Sequence, residues 1–178
     1  MVIDPKIEDP IRAMLGQAIR GELRGLDQMI DAVGDEVYGT GIEYCNLAAA
    51  YIAIDVSGRW PAEADLQEIV RHATSTDRPY ELRQQDVYDY ISRVALAGEP
   101  ITDVFPGENV DAKLPVLITA RLLLAFRAPG DMDMWQYLDT IWNALNVAAG
   151  ADMSVLPALL IRQKRSQAAT RPVTPRLS

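Results

Sequence analysis

Four acidic residues carry the sharpest chemical possibility in this chain. Asp65-Leu-Gln-Glu68 and Asp86-Val-Tyr-Asp89 each set two carboxylates three positions apart. On a helix that spacing puts both acids of a pair on one face, and four such oxygen ligands can hold Mg²⁺. The segment FRAPGDMDMWQYLDTIW, residues 126–142, offers a third acid pair at Asp131 and Asp133, close to Trp135 and Trp142. That pair suits a different role. Asp131 or Asp133 stands where the N-cap of the next helix belongs, and Asp139 shares no helix face with Asp133. His72 is the sole histidine, so neither a Ser-His-Asp triad nor a histidine-rich zinc site is within reach of this chain alone. In the last turn of its helix it can interact with the helix C-terminus. Cys45 lacks a Cys-x-x-Cys partner and falls on an apolar seam, where a thiol packs as a small hydrophobe. Neither G-x-x-x-x-G-K-[ST] nor G-x-G-x-x-G occurs. No cofactor is therefore expected.

In outline, the four acids are similar to the E-x-x-E…E-x-x-D arrangement of the all-α nucleoside-triphosphate pyrophosphatases. Glu68 and Asp89 keep the residues of that pattern, Asp65 and Asp86 are shorter by one methylene, and the resemblance is confined to residues 65–89. It implies a Mg²⁺-dependent hydrolase with Asp65, Glu68, Asp86 and Asp89 as metal ligands. The residues themselves also allow a plainer assignment, in which Asp65 caps its helix, the others lie on solvated faces and no metal is bound.

Helices must position all of these groups. Period-two alternation bounded by turn pairs is absent, whereas apolar residues recur at three-and-four spacing nearly everywhere. The expected class is all-α: a compact orthogonal bundle of about six to eight helices with a flexible C-terminal tail. Asp9 and Pro10 read as an N-cap and first-turn proline. The stripe Leu15, Ile19, Leu23, Leu26, Ile30, Val33, Val37 follows, with a bend or break expected near Gly25 and an end of the second part near Gly34. After a turn at Gly39-Thr-Gly41, Ile42 to Val56 forms a helix whose Ala48, Ala49, Ala50 and Ala53 admit a close neighbour. Further helices are expected at 61–73, 82–97 with Gly98 as its cap, 114–127, 133–148 and 152–166, with a short turn at 101–105 and a surface loop at 105–109. Arg59-Trp-Pro61…Asp65 and Arg127-Ala-Pro129…Asp133 share the form R-x-P-x-x-x-D, which reads as a helix corner in both places.

Composition bounds the partners. With 178 residues, 49% apolar and 24% charged, the chain is long enough for a true core. It divides into a helical domain over residues 1–161 and a basic tail over 162–178. Of the 17 bases, five (Arg162, Lys164, Arg165, Arg171 and Arg176) lie in the tail, so 12 bases face all 25 acids in the body. Such a body repels phosphate backbones, and nucleic acid is not the expected partner. The apolar run Leu114–Phe126 is interrupted by Arg121 and is too short to span a bilayer, so no membrane partner is expected. One cysteine and no secretory leader at the start of the sequence point to the cytoplasm. Helix 133–148 is apolar over a wide arc, with Trp135 and Trp142 on one stripe, so it is either wedged in the core or shared with a partner. The expected function is a non-catalytic protein–protein interaction module, as an adaptor, assembly chaperone or immunity-type inhibitor. Trp135, Trp142, Arg162, Lys164 and Arg165 are its candidate contact residues, with a homo-oligomer as one arrangement. A helical ligand-sensing regulator is the further alternative, although neither end carries a basic recognition helix.

Overall fold

A computed structural model describes residues 5–75, 80–106, 112–126 and 134–148. The elements run α1 Pro5–Arg20, α2 Leu23–Ala32, α3 Asp35–Ser57, α4 Glu63–Ala73, α5 Gln84–Asp89, a π-helical stretch Tyr90–Leu96, α6 Ile101–Val104, α7 Leu114–Ala125 and α8 Met134–Ala148. Among the described residues there is no strand, and the all-α multi-helix class holds. The expected helix at 152–166, the basic tail with Arg162, Lys164 and Arg165, the tip of the loop at 107–109 and the second corner at 127–133 lie outside the described residues.

The bundle is organised around α7. Its residues Pro115 to Leu123 are buried without interruption, because the sequence there offers no polar side to turn toward water. It packs against α1, α3, α4 and α8. The seam with α3 is close, as small side chains allow: Ala48, Ala49 and Ala53 are fully buried, and the Thr119 hydroxyl donates to the Cys45 carbonyl at 3.2 Å. Where α3 crosses α1, a Cβ on Gly41 would stand 3.2 Å from Ile11 Cγ1, so the missing side chain sets how near the helices lie.

Arg121 is the exception within α7 and is only 2% exposed. Its guanidinium donates to the Tyr80 carbonyl and lies 4.6 Å from the centre of the Tyr80 ring. The Tyr80 hydroxyl in turn donates to the Leu117 carbonyl at 2.9 Å. A cation over an aromatic face is attracted by the ring quadrupole, so the segment entering α5 is clamped to the central helix.

Four details correct the sequence expectations. The first break falls at Gly21, not Gly25. Gly21 has φ 74°, its N–H donates to Ala18 O at 3.1 Å, and Glu22 N–H reaches back to Gln17 O at 2.9 Å. This pair of bonds closes a helix end through a left-handed residue that glycine adopts without strain. Pro10 lies inside α1, and Gly39-Thr-Gly41 continues α3, which begins at Asp35. The expected helix 82–97 is α-helical only to Asp89. The Ser92 hydroxyl donates to the Tyr88 carbonyl at 2.7 Å, giving that acceptor a partner from outside the regular ladder. At the cap, Gly98 N–H reaches Val94 O and Glu99 N–H reaches Arg93 O, each one residue further back than at Gly21.

Two substitutions test this account of the core. Leu122→Ala is expected to lower unfolding free energy by about 2–5 kcal/mol, and Tyr80→Phe by about 1 kcal/mol through loss of one buried hydrogen bond. Urea titrations followed by far-UV circular dichroism measure both, and a Leu122→Ala variant as stable as the parent would contradict the placement of α7.

Candidate functional site

Helix α4 starts at a corner that the sequence spells out. The Asp65 carboxylate accepts from the Ala62 backbone N–H at 2.8 Å and from Arg59 Nη2 at 2.8 Å. Asp65 thus satisfies a free N–H at the start of the helix and holds the incoming chain. Ala62 has no side-chain acceptor to offer in return. Pro61 is buried, whereas Trp60 projects outward at 46% exposure.

Each of the other three carboxylates from the acid pairs has a neighbour of its own. Glu68 accepts from Arg71 Nη2 at 2.5 Å and lies 2.9 Å from His72 Nε2. The Arg71 hydrogen bond, with a smaller contribution from His72, holds its carboxyl below the usual carboxylate range. Asp86 pairs with Arg83 at 2.8 Å, and Asp89 accepts from Gln85 Nε2 at 2.9 Å. The four do not meet. Among the described residues, no group of three or more His, Cys, Asp or Glu side chains is placed to hold a metal ion.

Helix rotation accounts for this separation. The face α4 turns toward the start of α5 is Glu63, Gln67 and Val70. At about 100° per residue, Asp65 and Glu68 stand on the far side of that helix. On the facing element, Gln84, Gln85 and Tyr88 line the gap, with Asp86 likewise turned away. Between these six residues lies an open groove of about 310 Å³.

The groove has its own polar order. The Tyr88 hydroxyl donates across the gap to Glu63, and Gln67 Nε2 donates to the other Glu63 oxygen at 2.9 Å. The hydrogen bond to Glu63 raises the Tyr88 phenol above its ordinary value, and the negative charges of Glu63 and Asp89 add to the effect. Glu63–Gln67 and Gln85–Asp89 are therefore two carboxylate–amide pairs four residues apart, one on each side. A search for acid–acid spacing passes over them; a search for acid–amide spacing at four residues finds both.

The aromatic residues divide differently from expectation. Trp142 is buried at 3% exposure, its ring edge-on to Tyr44 with centroids 5.4 Å apart. Trp135 is half-buried and packs on the core; a Cβ added at Gly16 would come within 3.7 Å of its ring. The part of the α8 apolar arc formed by Tyr137, Leu138, Ile141, Trp142 and Ala144 is thus turned into the bundle, and Trp142 belongs to its core. Trp60 and Val56, beside the α3–α4 corner, are the large apolar side chains that stand exposed among the described residues. The sequence signal for Trp60 was its position next to Pro61, since a side chain at a corner has fewer neighbours to bury it.

Cys45 lies in the α3–α7 seam, fully enclosed, and burial pushes its thiol up to about 12. Nearby, the buried Tyr90 donates to Asn46 Oδ1 at 2.6 Å. These groups tie the π-helical stretch to α3.

No protein-family model, curated protein or solved structure matches this chain. No described helix is long and apolar enough to cross a membrane.

Two measurements follow from this geometry. Asp65→Ala should cost about 1 kcal/mol, the usual loss for a helix-cap contact, read as a lower thermal midpoint. Native Cys45 should resist a thiol reagent at pH 9 and react promptly in denaturant, since the thiolate is the nucleophile. The unfolded thiol loses its proton near about 8.5, whereas the folded one keeps it until about 12. The unfolded state therefore binds fewer protons in that window, and stability should fall as pH rises through it.

Proposed function

We propose that this protein is a non-catalytic interaction module whose acidic body docks onto a basic protein surface in the cytoplasm, as an adaptor, assembly chaperone or immunity-type inhibitor does. The observation that carries this is the charge along α2 and α3. Between Gly21 and Gly58 stand Glu22, Asp27, Asp31, Asp35, Glu36, Glu43 and Asp55, with Arg24 as the sole base. Asp31, Asp35, Glu36 and Glu43 are exposed, and among the described residues none of them has an ion-pair partner. Elsewhere, carboxylates such as Asp65, Glu68, Asp86 and Glu99 are matched with the chain's own cations. Asp35 and Glu36 gain from the positive end of α3, but that benefit does not extend to Asp31 or Glu43. Unmatched exposed charge of one sign speeds encounter with the opposite sign and makes the complex salt-sensitive. Exposed Trp60 and Val56 add the kind of apolar side chain that anchors an interface once it is formed.

The test is affinity capture from the native host, comparing the parent with a variant carrying Asp31→Asn, Asp35→Asn, Glu36→Gln and Glu43→Gln. The parent should retain a basic partner at low salt and release it near about 1 M salt, where the Debye length falls to about 3 Å. The neutralised variant should associate about tenfold more slowly or worse, with an unchanged thermal midpoint. Capture that ignores both salt and the four substitutions would refute the proposal.

A further inference from the structure

The groove between α4 and α5 has a composition that selects its ligand. Glu63, as a carboxylate, only accepts hydrogen bonds, so the Gln67 amide must point its NH₂ group at it, and Gln85 must do the same toward Asp89. The Tyr88 proton is likewise spent on Glu63. What these residues leave for a visitor includes the carboxamide oxygens of Gln67 and Gln85, the phenolic oxygen of Tyr88 and the remaining lone pairs of Glu63, beside the second N–H of each engaged amide and the Gln84 carboxamide. The neighbouring carboxylates Asp65, Glu68 and Asp86 each have an arginine. Among the described residues, Glu63 has only the neutral donors Tyr88 and Gln67 and no cation paired with it.

The negative charge of Glu63, with carboxamide and phenolic oxygens around it, matches a ligand that donates hydrogen bonds and carries one positive charge. Guanidinium and ammonium groups are the protein side chains of that kind, with no acceptor atom to clash. The Tyr88 ring adds a face over which such a cation is attracted, and Val70 gives an apolar floor for the aliphatic stem. At about 310 Å³ the groove has room for a single long side chain.

We infer that the α4–α5 groove is a socket for one arginine or lysine side chain of a partner protein, with Glu63 as the charged contact and Gln67, Gln85 and Tyr88 as acceptors around it. The inference rests on the reading of the protein as a binder of basic surfaces. It adds a point of register to a surface that otherwise attracts charge without fixing position.

The full chain, labelled with ¹⁵N, can be titrated with acetyl-Gly-Arg-Gly-amide and with its citrulline counterpart, which keeps the side-chain shape and lacks the charge. The arginine peptide should move the side-chain amide signals of Gln67, Gln84 and Gln85 and the backbone signal of Tyr88. The citrulline peptide should leave them in place. Glu63→Gln keeps an acceptor for Tyr88 and should weaken arginine-peptide binding about tenfold, the scale of one charge-assisted contact. Silence of the groove signals even in large peptide excess, or equal shifts with citrulline, would overturn the socket. Shifts confined to the backbone signals of Asp31, Asp35, Glu36 and Glu43 would overturn it as well, while leaving the basic-partner proposal standing. Groove shifts in a protein that captures no basic partner would support the socket and remove the larger proposal.

Discussion

Helix α7 has no hydrophilic face, and the rest of the bundle is arranged to meet that constraint. A segment apolar all round is stable in water only if other elements enclose it completely. In this protein α1, α3, α4 and α8 supply the enclosure. The demand reaches into their sequences. α3 presents alanines along the seam, since a helix buried on every side leaves its neighbours little room, and α8 spends Trp142 and Tyr137 on the interior. Arg121 could be tolerated in such a place only with partners for its charge, and the Tyr80 carbonyl and ring are among them.

Enclosure of the centre has consequences at the surface. Tyr80, fixed on α7, determines where the chain enters α5, and so where Tyr88 lies relative to α4. The hydrogen bond from Tyr88 to Glu63 spans the gap that results. The groove is thus a by-product of how one buried arginine is accommodated, with its polar lining set by the helical register of α4 and α5. The π-helical turn that follows α5 brings Tyr90, Ile91 and Val94 into the core and leaves Arg93 outside with Glu99. The proposed socket and the packing of the core are therefore joined through the same segment, residues 80–96.

Much of the fold was legible in the sequence. The three-and-four spacing of apolar residues gave the helices, Gly98 gave the end of one, and the apolar run around residue 118 marked the central helix. The Arg59-Trp-Pro61…Asp65 pattern marked a corner because its parts are local, within one helical turn of each other. What failed did so for identifiable reasons. Gly21, Gly25, Gly39 and Gly41 are alike as letters, and only the chain's path decides which one takes a left-handed conformation, which ones continue a helix, and which one lies against a crossing neighbour. The π-helical turn was hidden because its apolar positions fit an α-helical stripe nearly as well.

The candidate sites show the same division. Spacing alone fixed that Asp65 shares a helix face with Glu68, and Asp86 with Asp89, because a helix has one repeat whatever surrounds it. Whether those faces meet depends on the rotation of α4 and α5 about their axes. That rotation is set by the apolar stripes each must bury, and it turns Glu63, Gln67 and Tyr88 toward each other instead. Likewise the sequence determined that three tryptophans had to be placed, but not which would be exposed. Trp142 went inside because α8 closes the core, and Trp60 stayed outside because, among the described residues, no helix lies beyond the corner before Pro61 for it to pack against. Charge differed in this respect. The excess of acid over base along α2 and α3 needed no tertiary structure to be seen, since nearly all ionised side chains remain at the surface of any fold; only the structure decided which of those acids kept a cation beside them.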